Sequence, residues 1–232
     1  MSTPAGQLAS APGTGPLSPP PGREPEFAVL GARSVRHAAA PMMALDLQVS
    51  EPSGREVYMI ALSIQMMIEP ARRDYDALTR ERLSGLFGAP ERWSVTTRSL
   101  LWAQLDVVVP AFTGSTTVAV PVACSYDLEL AAAKYMHALP GGHVPLALHF
   151  NGMIYYPDER GGLQMVLVPW ACTAEHRMPV AVWRETVEHY YPDRGWVGLG
   201  SGTLLALEHE RVARGVPTYD ACVRALLADD DA

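Results

Sequence analysis

The sequence predicts an α+β protein, mainly β: an antiparallel β-sandwich with a helical insertion and a C-terminal helical region. Three observations predict it. Four long segments keep a period of two, a stretch after Pro70 keeps helical spacing until Gly88 and Pro90, and beyond Pro169 the period changes to about 3.6. Side chains alternate faces along a strand, so a period of two gives one apolar and one mixed face, the pattern of antiparallel sheets with a solvated side.

Residues 1–25 are rich in Pro, Gly, Ser and Ala with almost no aliphatic bulk. Such a tail buries too little surface to offset its chain entropy, so it is expected to be disordered. The sandwich is expected over 26–170. Met43, Leu45, Leu47 and Val49 alternate with Ala44, Asp46 and Gln48 as a short half-buried strand. Pro52-Ser53-Gly54 supplies turn chemistry. From Val57 to Ile68 the even positions are Tyr58, Ile60, Leu62, Ile64, Met66 and Ile68, and Pro70 ends that strand.

The helical insertion is expected at about 71–101. Tyr75, Leu78, Leu83, Leu86 and Phe87 sit at helical spacings, and a second short helix or turn carries Trp93. Leu105, Val107 and Val109 resume strand parity. The next strand is read from Val118 to Leu130 along its even positions, and a short Ala-rich helix covers Ala131 to Leu139. Asn151-Gly152 has the composition of a two-residue hairpin turn. Parity argues otherwise, because Leu146, Leu148, Phe150, Gly152, Ile154 and Tyr156 form one unbroken set. One long strand is therefore expected, bulged at Gly152, with the turn at Pro157 to Gly162 and the partner strand from Leu163 to Val168.

Residues 171–228 are expected to be helices packed on the sandwich, before an acidic tail at 229–232. Pro179 opens the first helix, with Val180, Trp183, Val187 and Tyr190 on one stripe. Thr203 to Arg214 and Thr218 to Ala228 follow, Gly215 ending the former. Gly198-Leu199-Gly200-Ser201-Gly202 fits neither a phosphate-binding fingerprint nor a nucleophile elbow. It is a connector, with Ser201 or Thr203 as the expected N-cap.

A formal net charge of -7 argues against nucleic acid, whose phosphates require clustered positive charge. Lys134 is the sole lysine beside seventeen arginines, as the composition of a GC-rich genome gives. The three cysteines form no C-x-x-C pair, so neither a zinc knuckle nor a disulfide framework is written, and a reducing cytoplasm is expected. No basic-then-apolar leader and no run of about 20 apolar residues is present.

Glu185-Thr186-Val187-Glu188-His189 comes closest to a metal motif, but the first histidine of H-x-x-E-H is replaced by Glu185. The aromatic residues Trp93, Trp102, Tyr155 and Trp183, together with the insertion's Arg72 and Arg73, are the candidate partner-binding set. Tyrosine, tryptophan and arginine are enriched where an apolar surface has a wet edge. No catalytic residue and no cofactor is expected.

Arg72-Arg73 to Leu86-Phe87-Gly88, Pro90-Glu91-Arg92-Trp93, Tyr126-Asp127-Leu128-Glu129, Lys134-Tyr135 with Leu139, and Val144-Pro145-Leu146 to Phe150-Asn151-Gly152 resemble a family of uncharacterised bacterial proteins encoded beside nickel-iron hydrogenase genes. The resemblance covers about residues 27–228 and implies a link to hydrogenase maturation or assembly, with no residue roles to carry over. Ala44-Leu45-Asp46-Leu47, Val57 to Leu62 and Val144 to Leu148 bear a fainter likeness to the strand order of the SecB export chaperone.

The expected function is thus a non-catalytic accessory or assembly protein that binds another protein, such as a hydrogenase subunit or maturation factor, with a homo-oligomer as a further option. The alternative is an enzyme or metal-binding protein whose site gathers around Glu185, Glu188 and His189, with His176.

Overall fold

The alternation read from the sequence becomes two facing sheets. The computed structural model describes residues 24–230 apart from 126, 128 and 129. Nearly all of the expected disordered tail, and the last two residues of the acidic tail, lie outside the described residues. The elements run β1 (Glu26–Ser34), β2 (Met42–Ser50), β3 (Glu56–Val57), β4 (Met59–Ile68), α1 (Ala77–Phe87) and α2 (Trp93–Thr96). They continue with β5 (Leu100–Val109), β6 (Phe112–Thr113), β7 (Ser115–Ala123), α3 (Ala131–Ala138), β8 (His143–Pro157) and β9 (Leu163–Leu167). β10 (Thr173–Pro179), α4 (Val180–Tyr190), α5 (Ser201–Ala213) and α6 (Tyr219–Asp230) complete the chain.

One sheet has the order β1-β2-β7, and the larger has the order β10-β8-β4-β5 with β9 also on β8. β3 and β6 pair as a separate two-stranded sheet, and all of these ladders are antiparallel. The sheets face each other: Phe27 of β1 stacks on Phe150 of β8 with ring centroids 4.2 Å apart. Met43, Leu45, Leu47 and Val49 of one sheet share a core with Ile60, Leu62, Ile64, Met66 and Ile68 of the other. Burying each of these side chains contributes about 1.5–3 kcal/mol, which is why the even and odd faces do not exchange.

Three strand readings need correction. Tyr58 does not continue the inward set; Val57 is buried instead and Tyr58 is exposed. After Val57 the chain leaves its β6 partner, and the Tyr58 N–H donates to the Tyr155 carbonyl at 2.8 Å, so the parity restarts there. The Val118 strand stops at Ala123, opposite Met42, where β2 begins. Parity survives to the buried Cys124, but Leu130 is exposed at the start of α3, and Tyr126 and Leu128 lie outside the described residues. Residues 173–179, assigned to the helical region, instead form β10, paired with β8. Its inward residues are Ala174, His176 and Met178, and the first two are too small or polar to signal a strand.

The insertion's helical segments lie between Pro70 and Thr96, and β5 takes over at Leu100. Asp76 caps α1 by accepting the Thr79 N–H at 2.7 Å, and Gly88, at φ +77°, ends it by donating to the Ser84 carbonyl. The insertion packs on α3 through rings: Trp93 meets Tyr75 and Phe87 edge-on, and both contact Tyr135. The Tyr75 hydroxyl donates to the Pro70 carbonyl, so the buried Tyr135 hydroxyl, 2.8 Å away, donates to Tyr75. Burial pushes both phenols up, which keeps these protons in place.

α4 turns Val180, Trp183, Thr186 and Val187 inward and packs on β1 and β2. α5 and α6 differ from it: they pack on each other, and Gly200, not Ser201 or Thr203, occupies the N-cap of α5 without a side-chain bond. Among the described residues no helix is long and apolar enough to cross a membrane.

Candidate protein-binding surface

β8 is 15 residues long and organises the larger sheet. Along one edge it pairs with β4 from Leu146 to Tyr155, with Gly152 opposite Leu62 and no register shift, so the expected bulge is absent from that ladder. Along the other edge it has two partners in succession: β10 from His143 to His149 and β9 from Met153 to Pro157. At the changeover Phe150 N–H donates to the Cys172 carbonyl at 3.1 Å, and Val168 N–H donates to the Gly152 carbonyl at 3.0 Å. Between Val168 and Cys172 the chain swings outward, leaving Trp170 91% exposed.

The odd positions of β8 and β9 face away from the core. Register places Leu167 opposite Met153, Met153 opposite Ala61, and Ala61 opposite Val108. Beside that row, Met165 lies opposite Tyr155, and Tyr155 opposite Met59. Leu163, Met165 and Leu167 are exposed, and Val108 is 62% exposed. The next rows along the same face are polar: Asn151, Ser63 and Asp106, then His149, Gln65 and Gln104. One end of this outer face is therefore apolar across four strands, and the apolar character stops at a sharp boundary.

A buried brace holds the start of β9. Glu51 is almost fully buried and accepts from the Ser53 hydroxyl at 2.6 Å, the Arg55 N–H at 3.2 Å and the Tyr156 hydroxyl at 3.3 Å. The Arg55 guanidinium covers the Tyr156 ring at 3.8 Å and donates to Gln164 of β9 at 2.8 Å. Burial, with the negative charge of Glu51 added, pushes the Tyr156 hydroxyl up to about 12, so it stays a donor at neutral pH.

The Ser63 hydroxyl donates directly to Asp106, with no imidazole between them to take a proton. Among the described residues no three of His, Cys, Asp and Glu gather as metal ligands. Glu185 is held by Arg36 at 2.9 Å, His189 Nε2 faces the Arg36 carbonyl at 3.2 Å, and Glu188 instead lines a cleft with Trp183 and Asp193. His176 lies on β10 toward β1, its pKa lowered by burial. These four therefore do not share a centre. The insertion and α3 border a groove of about 730 Å³ lined by Arg82, Gly85, Leu86, Lys134 and His137.

Of the six residues expected to bind a partner, Tyr155 alone lies in the apolar region of the outer face. Arg72 pairs with Glu175 of β10, and Arg73 donates to the Gly141 and His143 carbonyls at 2.6 and 2.7 Å, so both fasten the insertion to the sheet. Trp93 donates to the Gly88 carbonyl at 2.9 Å within the ring cluster, and Trp102 is half-buried against the core. Trp183 is 3% exposed, inside the molecule rather than on a surface. Met59, Val108, Met153, Met165 and Leu167, which line this apolar region, are not in the set that the sequence singled out. Their signal is a strand apolar at both parities, as in Leu163 to Val168, which marks a second face that also meets something apolar.

A family model described as a family of unknown function (DUF6084) matches residues 23–232. The chain belongs to that family. No curated protein matches this DUF6084 chain. A solved structure described as the ApaA protein from Bordetella pertussis is similar at 10% identity over 70% of this chain and 96% of that one, with a TM-score of 0.27. Neither match mentions a hydrogenase or SecB. The family match takes in the sandwich, the insertion and all of the C-terminal helices.

Proposed function

We propose that this DUF6084 chain is a non-catalytic accessory protein that binds another protein through the apolar end of its outer sheet face. The supporting observation is the row Leu167, Met153, Ala61 and Val108, which crosses four strands without a polar side chain. An outer face that meets only water carries polar residues, as the neighbouring rows do. Contiguous exposed apolar surface of this kind is characteristic of interaction sites. Met59, Met153 and Met165 supply adaptable thioether side chains suited to packing against a partner. The metal-enzyme alternative has less support, because Arg36 occupies Glu185 and a carbonyl faces His189. The family resemblance adds a hydrogenase subunit or maturation factor as the partner class to test.

The test is affinity capture from native lysate with the wild-type chain, with Val108→Glu/Met165→Glu, and with Leu205→Glu as a control on a different element. A stoichiometric partner held by the wild type and the control but weakened at least about tenfold, or about 1.4 kcal/mol, in the double variant supports the reading. Urea unfolding of the double variant checks that it remains folded. Retention of the partner by the double variant, or no partner at low salt, overturns it. Recovery of a hydrogenase component supports the narrower assignment as well.

A further inference from the structure

The α5–α6 hairpin lacks a core of its own. No residue of α5 is buried, and among the described side chains of α6 only Cys222 is. Helices of 13 and 12 residues are marginal in water without an apolar face packed against something. The apolar residues are nevertheless organised. Tyr219, Val223, Leu226 and Leu227 fall at i, i+4, i+7 and i+8 along α6, one exposed stripe. On α5, Leu204, Leu205 and Val212 share a face with Glu208.

The two stripes border one seam. The Arg211 guanidinium of α5 lies 5.7 Å from the Tyr219 ring centroid, and the Cys222 thiol of α6 faces the Leu207 carbonyl at 3.9 Å. Leu205 and Leu227 are 62% and 64% exposed, so the apolar faces are open on both helices.

We infer that this hairpin is a self-association surface, on which a second copy of the chain seats its own hairpin in a two-fold, four-helix arrangement. Two observations select a second copy over a partner chosen by charge. First, the hairpin's charges are largely satisfied within it: Glu208 with Arg211 at 2.8 Å, Arg214 with Glu210 and Asp229 at 2.6 Å, and Asp220 with Arg224 at 3.0 Å. The exposed stripes thus offer a neutral surface, which is complementary to itself. Second, the exposed surface of the seven stripe residues is roughly 600 Å² per copy, so a contact that covers all of it buries at most about 1,200 Å² for a pair, which reaches the lower bound of standard stable interfaces. A two-fold contact between identical patches closes, so it ends at a dimer. This surface is separate from the sheet face and does not depend on that reading.

Sedimentation velocity of the full chain across a micromolar concentration series tests the inference. The wild type is expected at twice the 25.1 kDa of one chain, and Leu205→Glu/Leu227→Glu at the single-chain mass. Val108→Glu/Met165→Glu is expected to stay dimeric. A wild type that sediments as one chain throughout overturns the proposal, as does a dimer that survives the hairpin variant. Hydrogen exchange on the wild type tests it without any variant: α5 and α6 amides slow as concentration rises if the hairpin is the contact. Exchange there that is flat with concentration overturns it, including where a different partner is what covers the stripe.

Discussion

Replacing Gly152 by alanine is expected to cost about 3 kcal/mol or more, or to leave the chain insoluble. Gly152 holds φ +149° in the middle of β8, a conformation that side-chain-bearing residues rarely adopt. An added Cβ would lie 2.1 Å from the Ala61 carbonyl oxygen and 3.1 Å from the Leu62 Cα. Both atoms belong to the backbone of β4, paired in register with β8 on either side, so no flexible side chain can move aside. The two central strands must separate locally or β8 must twist out of the sheet. Gly161→Ala is the matched control, because Gly161 also has a positive φ, +78°, but faces open space. It is expected to cost about 1 kcal/mol through backbone strain alone. Urea unfolding of both variants measures the difference, and equal midpoints would show that the close approach to Ala61 carries no energy.

Trp183→Ala is expected to remove about 3–5 kcal/mol, the range for deleting a large aromatic from a packed core. Trp183 lies under α4 with Val180 and Val187, where the helix meets β1 and β2. Its loss opens a cavity that surrounding strands cannot close without shifting the sheet. Trp170→Ala, at the exposed jog, is expected to change stability by no more than about 0.5 kcal/mol. Thermal or urea unfolding separates the two. A small effect at Trp183 would mean that α4 is not fastened to the sandwich through this ring.

Both predictions bear on what could be read from the chain. Parity located β2, β4 and β8, and it overruled the turn-like Asn151-Gly152 correctly, because a single residue of slippage would put Ile154 and Tyr156 in water. The turn chemistry was misleading for a physical reason: Gly152 is there for the nearness of Ala61, a contact between residues far apart in sequence. β10 was illegible because Ala174 and His176 carry little hydrophobic signal, although pairing with β8 fixes them as a strand. The expected binding residues were placed on the same local grounds, without sight of their contacts within the chain. Arg72, Arg73 and Trp93 have the side chains of an interface, yet they are used inside the molecule to hold the insertion down. The row from Leu167 to Val108 brings together four segments that no local window could join.

The change of partner along β8 divides the sheet mechanically. Leu163–Leu167 touches the ladder through five residue pairs only, all beyond Gly152, while the seven pairs to β10 lie wholly on the near side. Peeling β9 away thus disturbs neither the β10 ladder nor the β4 ladder. The arm is expected to behave as a flap, its amide protons exchanging ahead of those of β10. If a client settles on the apolar end of the face, the first thing it should do is clamp that flap shut.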